Sequence, residues 1–350
     1  MNATATASEY GVPAGQNRWL GIDFSGDKRK WSAGCSRSNV WIAVIRPLND
    51  VVQLVDLRRV QELFGDGSPF ELLTGLLAKR SFLAAAIDAP FSVPSDFLPK
   101  GSHTALLDVV AELSLDTSFP DAQTFADAVI KGRRMAVPKP LRETERMWQE
   151  RGLNVRSTLW TGARGGAAMT AVCLSLLAKA ACPMWPWSKN GPGLLAEAFP
   201  AAQLLQWRLP FQRYNNSDEI SSSNRRKIVS FLENERLEIG EFKPLLLSSA
   251  DALDSVLCTF AAKAVWNGCS MKINVVLMTT RFGQYRFCHI VAGVYSPWNA
   301  RFSQTKTLRP TVHESQALLV MAVPRPMAKR HPSKPELRSH HAEHAHPVGN

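Results

Sequence analysis

The segments WLGIDFSG, residues 19–26, and FLAAAIDAP, residues 82–90, carry most of the information about the fold. Each is a short apolar run that ends in an aspartate, Asp23 in the first and Asp88 in the second. Short, continuous apolar runs bounded by turn residues are typical of buried β-strands. The two carboxylates will therefore lie side by side if these two strands are neighbours in one sheet.

The chain between these two segments predicts two more strands and a helix. Residues 40–45 and 51–57 are β-type runs joined by turn-sized polar segments. Ser68 and Glu71 then form a capping box around a proline and open a helix to about Arg80. The resulting order β-β-β-α-β is the opening of a ribonuclease H-like fold. We therefore expect an α/β protein with a mixed sheet of strand order 3-2-1-4-5, flanked by helices.

The rest of the chain suggests one domain with a helical insertion between flanking polar segments. We expect a disordered leader at 1–17, an RNase H-like domain at 18–300 with a helical insertion at about 98–181, an extension of unassigned structure at 301–323, and a disordered tail rich in His, Pro and basic residues at 324–350. Within the domain, the predicted later elements are a strand at 194–199, helices at 200–207, 217–237 and 249–266, and β-type runs at 273–278 and 285–294.

Further acidic residues follow apolar runs or open a helix, and they suggest a metal site. Glu197 ends the run LLAE, while Asp251 and Asp254 lie three residues apart on one face of a helix whose capping pattern begins at Ser248. Taken singly, several of these acids have ordinary explanations as turn or cap residues. Taken together they predict carboxylate ligands for one or two Mg²⁺ or Mn²⁺ ions, because hard cations prefer oxygen donors.

The charge balance favours a polyanionic partner. The 350 residues carry a net charge of +11, and part of this excess lies in the tail. A basic surface is predicted near Asp88, and its candidate nucleic-acid-binding residues are Arg133, Arg134, Arg142 and Arg146. The alternative interpretation is a solvated helix face, on which the arginines pair with neighbouring glutamates. Either DNA or RNA satisfies the charge argument.

Composition also bears on compartment and cofactors. The six cysteines are scattered without a C-x-x-C pair, so we expect neither a disulfide framework nor a zinc site. The first residues have neither the basic nor the apolar region of a secretory signal. The most apolar segment, residues 165–177, is too short to span a bilayer. These features predict a soluble cytoplasmic protein with no membrane partner.

Several segments together resemble a known family. GIDFSGDKRKW, AAIDAPFSVP, LRETERMWQERG, LLAEAFPAA and SADALDSVLCTFAAKA are similar to the successive blocks of the RNase H-like family of proposed nucleases catalogued as domain of unknown function 429. The last block also resembles the closing acidic helix of the RuvC resolvase. The resemblance covers about residues 18–300. It implies that Asp23, Asp88, Asp251 and Asp254 are metal ligands, with Glu197 nearby.

Position by position, a basic block of the family matches Arg142, Glu145 and Arg146, although Thr144 and Glu145 replace its commoner Cys and Asp. The segment 98–137 is longer than is usual for the family. These departures concern the insertion and its arginines.

The sequence therefore predicts a metal-dependent nuclease that hydrolyses phosphodiester bonds with Asp23, Asp88, Glu197 and Asp254 as catalytic residues. Asp23 is expected to bridge two cations, with Asp251 or Glu197 tuning the site. One alternative is a catalytically silent nucleic-acid-binding or interaction module on the same fold. Another is an actin-like ATPase, which requires a second phosphate loop in a duplicated domain. The resemblance to nucleases that cut branched nucleic-acid junctions also favours a homodimer.

Overall fold

The computed structural model describes residues 17–49, 51–133, 139–188, 191–234 and 237–268. Several predictions fall outside these residues: the leader apart from residue 17, Arg134, the β-type runs at 273–278 and 285–294, the extension at 301–323 and the tail at 324–350. The four cysteines within the described residues, Cys35, Cys173, Cys182 and Cys258, are free thiols.

A mixed sheet of six strands forms the centre of the fold. The strands are β1 (Trp19–Asp23), β2 (Trp41–Leu48), β3 (Val51–Arg59), β4 (Ala84–Asp88), β5 (Leu194–Glu197) and β6 (Leu237–Glu238). They lie in the order β5-β4-β1-β2-β3-β6. The first five strands have the predicted order, with β1 antiparallel to β2 and parallel to β4. The prediction lacked β6, which is too short to give a hydrophobic pattern and which extends the sheet beyond β3.

Nine helices surround the sheet within the described residues. They are α1 (Pro69–Ala78), α2 (His103–Leu113), α3 (Ala122–Ile130), α4 (Glu143–Glu150), α5 (Ala167–Ala180), α6 (Pro200–Gln206), α7 (Glu219–Asn234), α8 (Lys243–Ser248) and α9 (Ala250–Trp266). Each side of the sheet carries its own hydrophobic core, with α1, α2, α3 and α5 on one side and α7, α8 and α9 on the other. Three helices of the predicted insertion, α2, α3 and α5, thus share the core of the sheet, whereas α4 packs through Trp148 in a separate small cluster with Leu153 and Ala202. None of the helices in these described residues has the length and apolar character needed to cross a membrane.

Of the two helix-capping patterns predicted from the sequence, one is confirmed and one is displaced. Ser68 caps α1 and Glu71 completes its capping box, as predicted. The cap of α9 was misplaced by one residue, because the Ser249 hydroxyl, and not that of Ser248, accepts a hydrogen bond from a backbone N–H of the first turn. This shift leaves Asp251 and Asp254 in and just beyond the first turn of α9.

The alternation of side chains along β1 and β4 determines which way their acidic residues point. Ile22 and Ile87 belong to the core on the α5 side of the sheet. Successive side chains of a strand point to opposite faces, so Asp23 and Asp88 project toward the side that α9 covers. Gly21 projects to this same side. The aspartates of β1 and β4 thus face the helix that carries the other two predicted metal ligands.

Gly21 allows α9 to lie directly against β1. A Cβ atom at this position would come within 2.0 Å of the Ser255 carbonyl oxygen and 2.5 Å of the Thr259 amide nitrogen. No side chain fits in so little space, so glycine is the residue that permits this contact. The close packing brings the N-terminal end of α9 to the sheet edge at which Asp23 and Asp88 lie.

Candidate metal centre and cleft

Four carboxylates come together where β1, β4 and α9 meet. Asp23 and Asp88 are paired residues in the parallel register of β1 and β4, so they lie side by side at the carboxyl ends of these strands. Asp251 and Asp254 approach from the start of α9. Asp23 is 6% exposed, so its carboxylate is almost completely removed from water. We refer to Asp23, Asp88, Asp251 and Asp254 as the acidic cluster.

The pKa values of the cluster show that its members interact. Burial, followed by the charges of Asp254, Asp88 and Asp251, raises the pKa of Asp23 well above its usual value. Burial and the charge of Asp88 likewise raise the pKa of Asp254. Like charges in a desolvated site disfavour ionisation, so the other carboxylates oppose the deprotonation of Asp23 and Asp254. The cluster therefore holds a repulsion that a bound cation would relieve.

Asp88 is the member of the cluster that opens to a cleft. Burial and the nearby Glu197 charge raise its pKa to about 7, while Arg156 acts in the opposite direction. Asp88 is partly accessible and lines the cleft, unlike Asp23. The cluster thus extends from a buried interior to a side chain that a ligand in the cleft reaches.

Tyr214 contacts the acidic cluster, although nothing in the sequence had marked it. Its hydroxyl donates a hydrogen bond of 2.9 Å to Asp254 Oδ1, and its ring is buried. Burial and the charge of Asp254 raise the pKa of Tyr214 well above its usual value, so the hydroxyl stays protonated and remains a donor. This hydrogen bond orients one oxygen of Asp254. Tyr214 lies in an irregular segment, where hydrophobic periodicity does not mark a buried position.

Glu197 lies at the same sheet edge but does not belong to the acidic cluster. Glu197 and Leu195 are two residues apart on β5, so their side chains point to the same face of the sheet. Leu195 packs in the core on the α5 side, away from the face that α9 covers. Its two oxygens accept hydrogen bonds of 2.7 and 2.6 Å from the Arg142 guanidinium, and the Phe91 N–H donates to Oε2 at 2.9 Å. These contacts engage both oxygens of Glu197, the carboxylate that the sequence predicted as a catalytic group, with the protein's own donors.

Arg142 forms a buried ion cluster with Glu145 and Glu197. Its Nε donates to Glu145 at 2.9 Å, and its backbone N–H donates to the other oxygen of the same carboxylate at 2.8 Å. The side chain is 3% exposed. Arg142 therefore does not contribute to the exposed basic surface that the sequence predicted, because its charge is fully engaged with two carboxylates inside the protein.

Arg133 and Arg146, the two other predicted nucleic-acid-binding arginines that the structure describes, have surface positions. Arg146 is exposed and pairs with Glu143, as in the alternative interpretation of a solvated helix face. Arg133 donates to the backbone carbonyls of Val129, Asp96 and Phe97, so it ties α3 to the loop after β4. Neither residue lines the cleft beside Asp88. The structure does not gather these arginines into one basic surface around the acidic cluster.

The turn that follows Asp88 is held from two sides. The Phe91 N–H donates to Glu197, and the Phe91 carbonyl lies 2.7 Å from His103 Nε2. Burial lowers the pKa of His103 to about 4, so the ring is neutral and its Nε2–H donates to this carbonyl. Trp187 stacks on the His103 ring with 3.5 Å between ring centroids. Glu197 and His103 therefore fix the turn from which Asp88 projects.

A cleft of about 690 Å³ lies beside the acidic cluster. Residues of the β1 loop, the β4 turn, the α4–α5 connection, the first turn of α5 and the start of α6 line it. Gly26 allows this arrangement, since a Cβ atom there would lie 2.5 Å from the Met169 backbone nitrogen. The cleft is within the usual size range of ligand sites, about 300–1,000 Å³.

The donor atoms of the acidic cluster suit a hard divalent cation. All are carboxylate oxygens, the ligand type that Mg²⁺ and Mn²⁺ prefer. Among the described residues, Asp23 accepts one hydrogen bond from the Phe24 N–H and Asp254 accepts one from Tyr214, which leaves oxygen lone pairs free for a cation. Within the same part of the chain, no group of three or more His, Cys, Asp or Glu side chains is arranged so that it could hold a metal ion. The residues thus suit a cation by donor type and charge, but within the described residues their side chains are not placed as a set of three ligands.

We expect the free energy of unfolding of the protein in EDTA to fall as the pH is raised from about 6.5 to about 8. The folded-state pKa values of Asp23, Asp88 and Asp254 lie above those of an unfolded chain, so the folded protein binds more protons in this range. Stability from a raised pKa is complete below the unfolded-state value and is lost as the pH rises through the folded-state value. For Asp88 the shift from 3.8 to about 7 is worth at most about 4 kcal/mol, and less because the side chain is partly accessible.

Urea denaturation at a series of pH values measures this dependence. The variant Asp88→Asn removes one of the raised pKa values and should make the curve shallower. The carboxylates of Asp27, Asp121 and Asp218 have lowered pKa values and titrate below the range of the experiment. The lowered pKa of His103, about 4, makes stability rise with pH only up to about 6.5, the usual histidine value, so its effect is largely complete where the measured range begins. Stability that stays constant or increases toward pH 8 would contradict a buried, mutually repelling cluster.

Fold and site together define an α/β protein with a partly buried group of carboxylates at the edge of a mixed sheet, next to a cleft. The chain belongs to the family described as "Protein of unknown function (DUF429)", whose family model matches residues 21–275. No curated protein and no solved structure shows significant similarity to the chain.

Proposed function

We propose that the protein is a metal-dependent nuclease built on an RNase H-like fold. The observation that carries this proposal is the acidic cluster, in which two aspartates on adjacent parallel strands meet two more from α9 at the edge of a cleft. Asp23 is buried and the other three carboxylates are partly buried. Gathering charges of one sign in such a site is costly unless a cation offsets them. The strand order 3-2-1-4-5 within the sheet supports the RNase H-like assignment.

In this proposal Asp23, Asp88 and Asp254 hold one or two Mg²⁺ or Mn²⁺ ions, and Asp251 adjusts the charge of the site. The bound cations would supply Lewis-acid activation of water and stabilise charge on the leaving oxygen of a phosphodiester. Tyr214 fixes one oxygen of Asp254 through its hydrogen bond. Burial of Asp23 keeps bulk water away from the interior of the site.

Glu197 and Arg142 act on the site indirectly, by fixing the backbone turn after Asp88. Glu197 fixes the Phe91 N–H, and this bond sets the turn that carries Asp88. Arg142 in turn holds both oxygens of Glu197. We therefore assign Glu197 and Arg142 as positioning residues.

The actin-like ATPase finds no support in the described residues. They form one six-stranded sheet, and no second β-β-β-α-β unit with its own phosphate loop is present between residues 17 and 268 as described. The silent nucleic-acid-binding module shares the fold and the cleft with the nuclease. The two functions differ in whether divalent cations cause cleavage.

A panel of labelled nucleic acids separates these two functions. The full chain is incubated with single-stranded DNA, duplex DNA, RNA, an RNA–DNA hybrid and a four-way junction, each with Mg²⁺, with Mn²⁺ or with EDTA. We expect cleavage of at least one substrate with either cation and none in EDTA. Binding without cleavage under all conditions would contradict the nuclease and would support the silent module.

A further inference from the structure

Among the described residues, Arg156 is the arginine of the cleft that forms no ion pair. Three arginines line the cleft: Arg29, Arg142 and Arg156. Arg29 is bonded to Asp27, and Arg142 is bonded to Glu145 and Glu197. Arg156 is exposed and forms no ion pair with a carboxylate in this part of the chain. Because Arg29 and Arg142 are already paired with carboxylates, Arg156 is the arginine that the cleft offers to a ligand.

Arg156 also lies near the acidic cluster. Both Arg156 and Asp88 line the cleft, and the charge of Arg156 favours the ionised form of Asp88. A phosphate group placed between them would meet a guanidinium on one side and, in the proposed function, cations held by carboxylates on the other. Arginine is suited to this contact because its planar donors match the oxygens of a phosphate.

The backbone that carries Arg156 is well anchored. The next residue, Ser157, is buried, and its carbonyl accepts a hydrogen bond of 2.9 Å from the Gly166 N–H. A Cβ atom at Gly166 would lie 2.8 Å from this same carbonyl oxygen, so the segment packs directly against the start of α5. An exposed side chain on a fixed backbone binds a ligand at a lower entropic cost than one on a mobile loop.

We propose that Arg156 binds a phosphate of the nucleic-acid strand that enters the cleft and thereby places that strand next to Asp88. This inference rests on the nucleic-acid substrate of the proposed function. It names a binding residue that lies in the irregular connection between α4 and α5, outside the arginines that the sequence had suggested. The contact is made to the backbone of the strand, so it does not depend on base sequence.

The test measures binding in EDTA, so the readout depends on neither a cation nor cleavage. The affinity of the full chain for a short fluorescein-labelled oligothymidine is followed by fluorescence anisotropy at several salt concentrations. Arg156→Ala should weaken binding about tenfold, the loss expected for one charged hydrogen bond. The slope of log K against log salt should become shallower by about 0.7, the value for one phosphate contact on a single strand.

Two further variants make the result specific. Arg156→Lys keeps the charge and should retain the salt slope of the wild type while losing part of the affinity. Arg46→Ala is the matched control, because Arg46 is an exposed arginine near the opposite end of β2 and bonds only to Gln53 among the described residues. It should bind as the wild type does. Circular dichroism confirms that each variant is folded.

The outcomes separate this inference from the nuclease proposal. Equal binding by Arg156→Ala and Arg46→Ala, or absence of binding by the wild type, would overturn the role of Arg156 even if the protein cleaves nucleic acid. Weaker binding by Arg156→Ala in a protein that cleaves none of the panel would support the role of Arg156 and contradict the nuclease.

Discussion

The variant Asp23→Asn should lose Mg²⁺-dependent cleavage by about a thousandfold or more while remaining folded, because a cation at this site supplies several kcal/mol of charge stabilisation. Asp23 interacts with the other three carboxylates of the cluster, so neutralising it removes the charge they share. The rate is measured on the substrate that the wild type cleaves best. Calorimetric titration with Mn²⁺ should show a matching loss of cation affinity.

Asp56→Asn is the control for this experiment. Asp56 lies on β3, pairs with Arg58 and is separated from β1 by β2. The Asp56→Asn variant should cleave nucleic acid and bind cations as the wild type does. Asp23→Asn should also make the folded protein more stable in EDTA at pH 8, because it relieves the repulsion within the cluster. Cleavage at the wild-type rate by Asp23→Asn would exclude the acidic cluster as the catalytic centre.

The variant Arg142→Ala should lower the free energy of unfolding by about 3–5 kcal/mol, the usual cost of removing one partner from a buried ion pair. Arg142 is the cation that offsets both Glu145 and Glu197, and its removal leaves two buried carboxylates without it. Urea denaturation measures the change. Since Glu197 also fixes the turn after Asp88, cleavage by the folded variant should fall as well.

Arg146→Ala provides the comparison within the same helix. Arg146 lies one turn farther along α4, and its pair with Glu143 is exposed. Exposed pairs contribute at most about 1 kcal/mol, so this variant should keep nearly all of the stability. Similar losses in the two variants would show that the buried ion cluster has no special role in the fold.

The sequence was a good guide to the strands and to the cluster itself. Asp23 and Asp88 end continuous apolar runs, and the order of elements places β1 beside β4. The spacing of Asp251 and Asp254 correctly places both acids near the start of one helix. These features are local, because hydrophobic period and helix caps depend on residues close together in the chain.

The roles of Glu197 and Arg142 depend on contacts that local pattern does not contain. Arg142 and Glu197 are 55 residues apart in the chain, so nothing near either residue reveals their pairing. The helical spacing of the arginines suggested an exposed surface, whereas burial removes Arg142 from it. Tyr214 and Arg156 lie in irregular segments, where no period exists to assign their direction.

The contact between Gly21 and α9 also sets an order in time. A ribosome makes Asp23 and Asp88 early, but it must add more than half of the chain described here before Asp251 and Asp254 emerge. A nascent chain that still lacks α9 carries only part of the carboxylate set and has nothing to cover Gly21. The proposed activity is therefore withheld until α9 has been synthesised and has docked on β1.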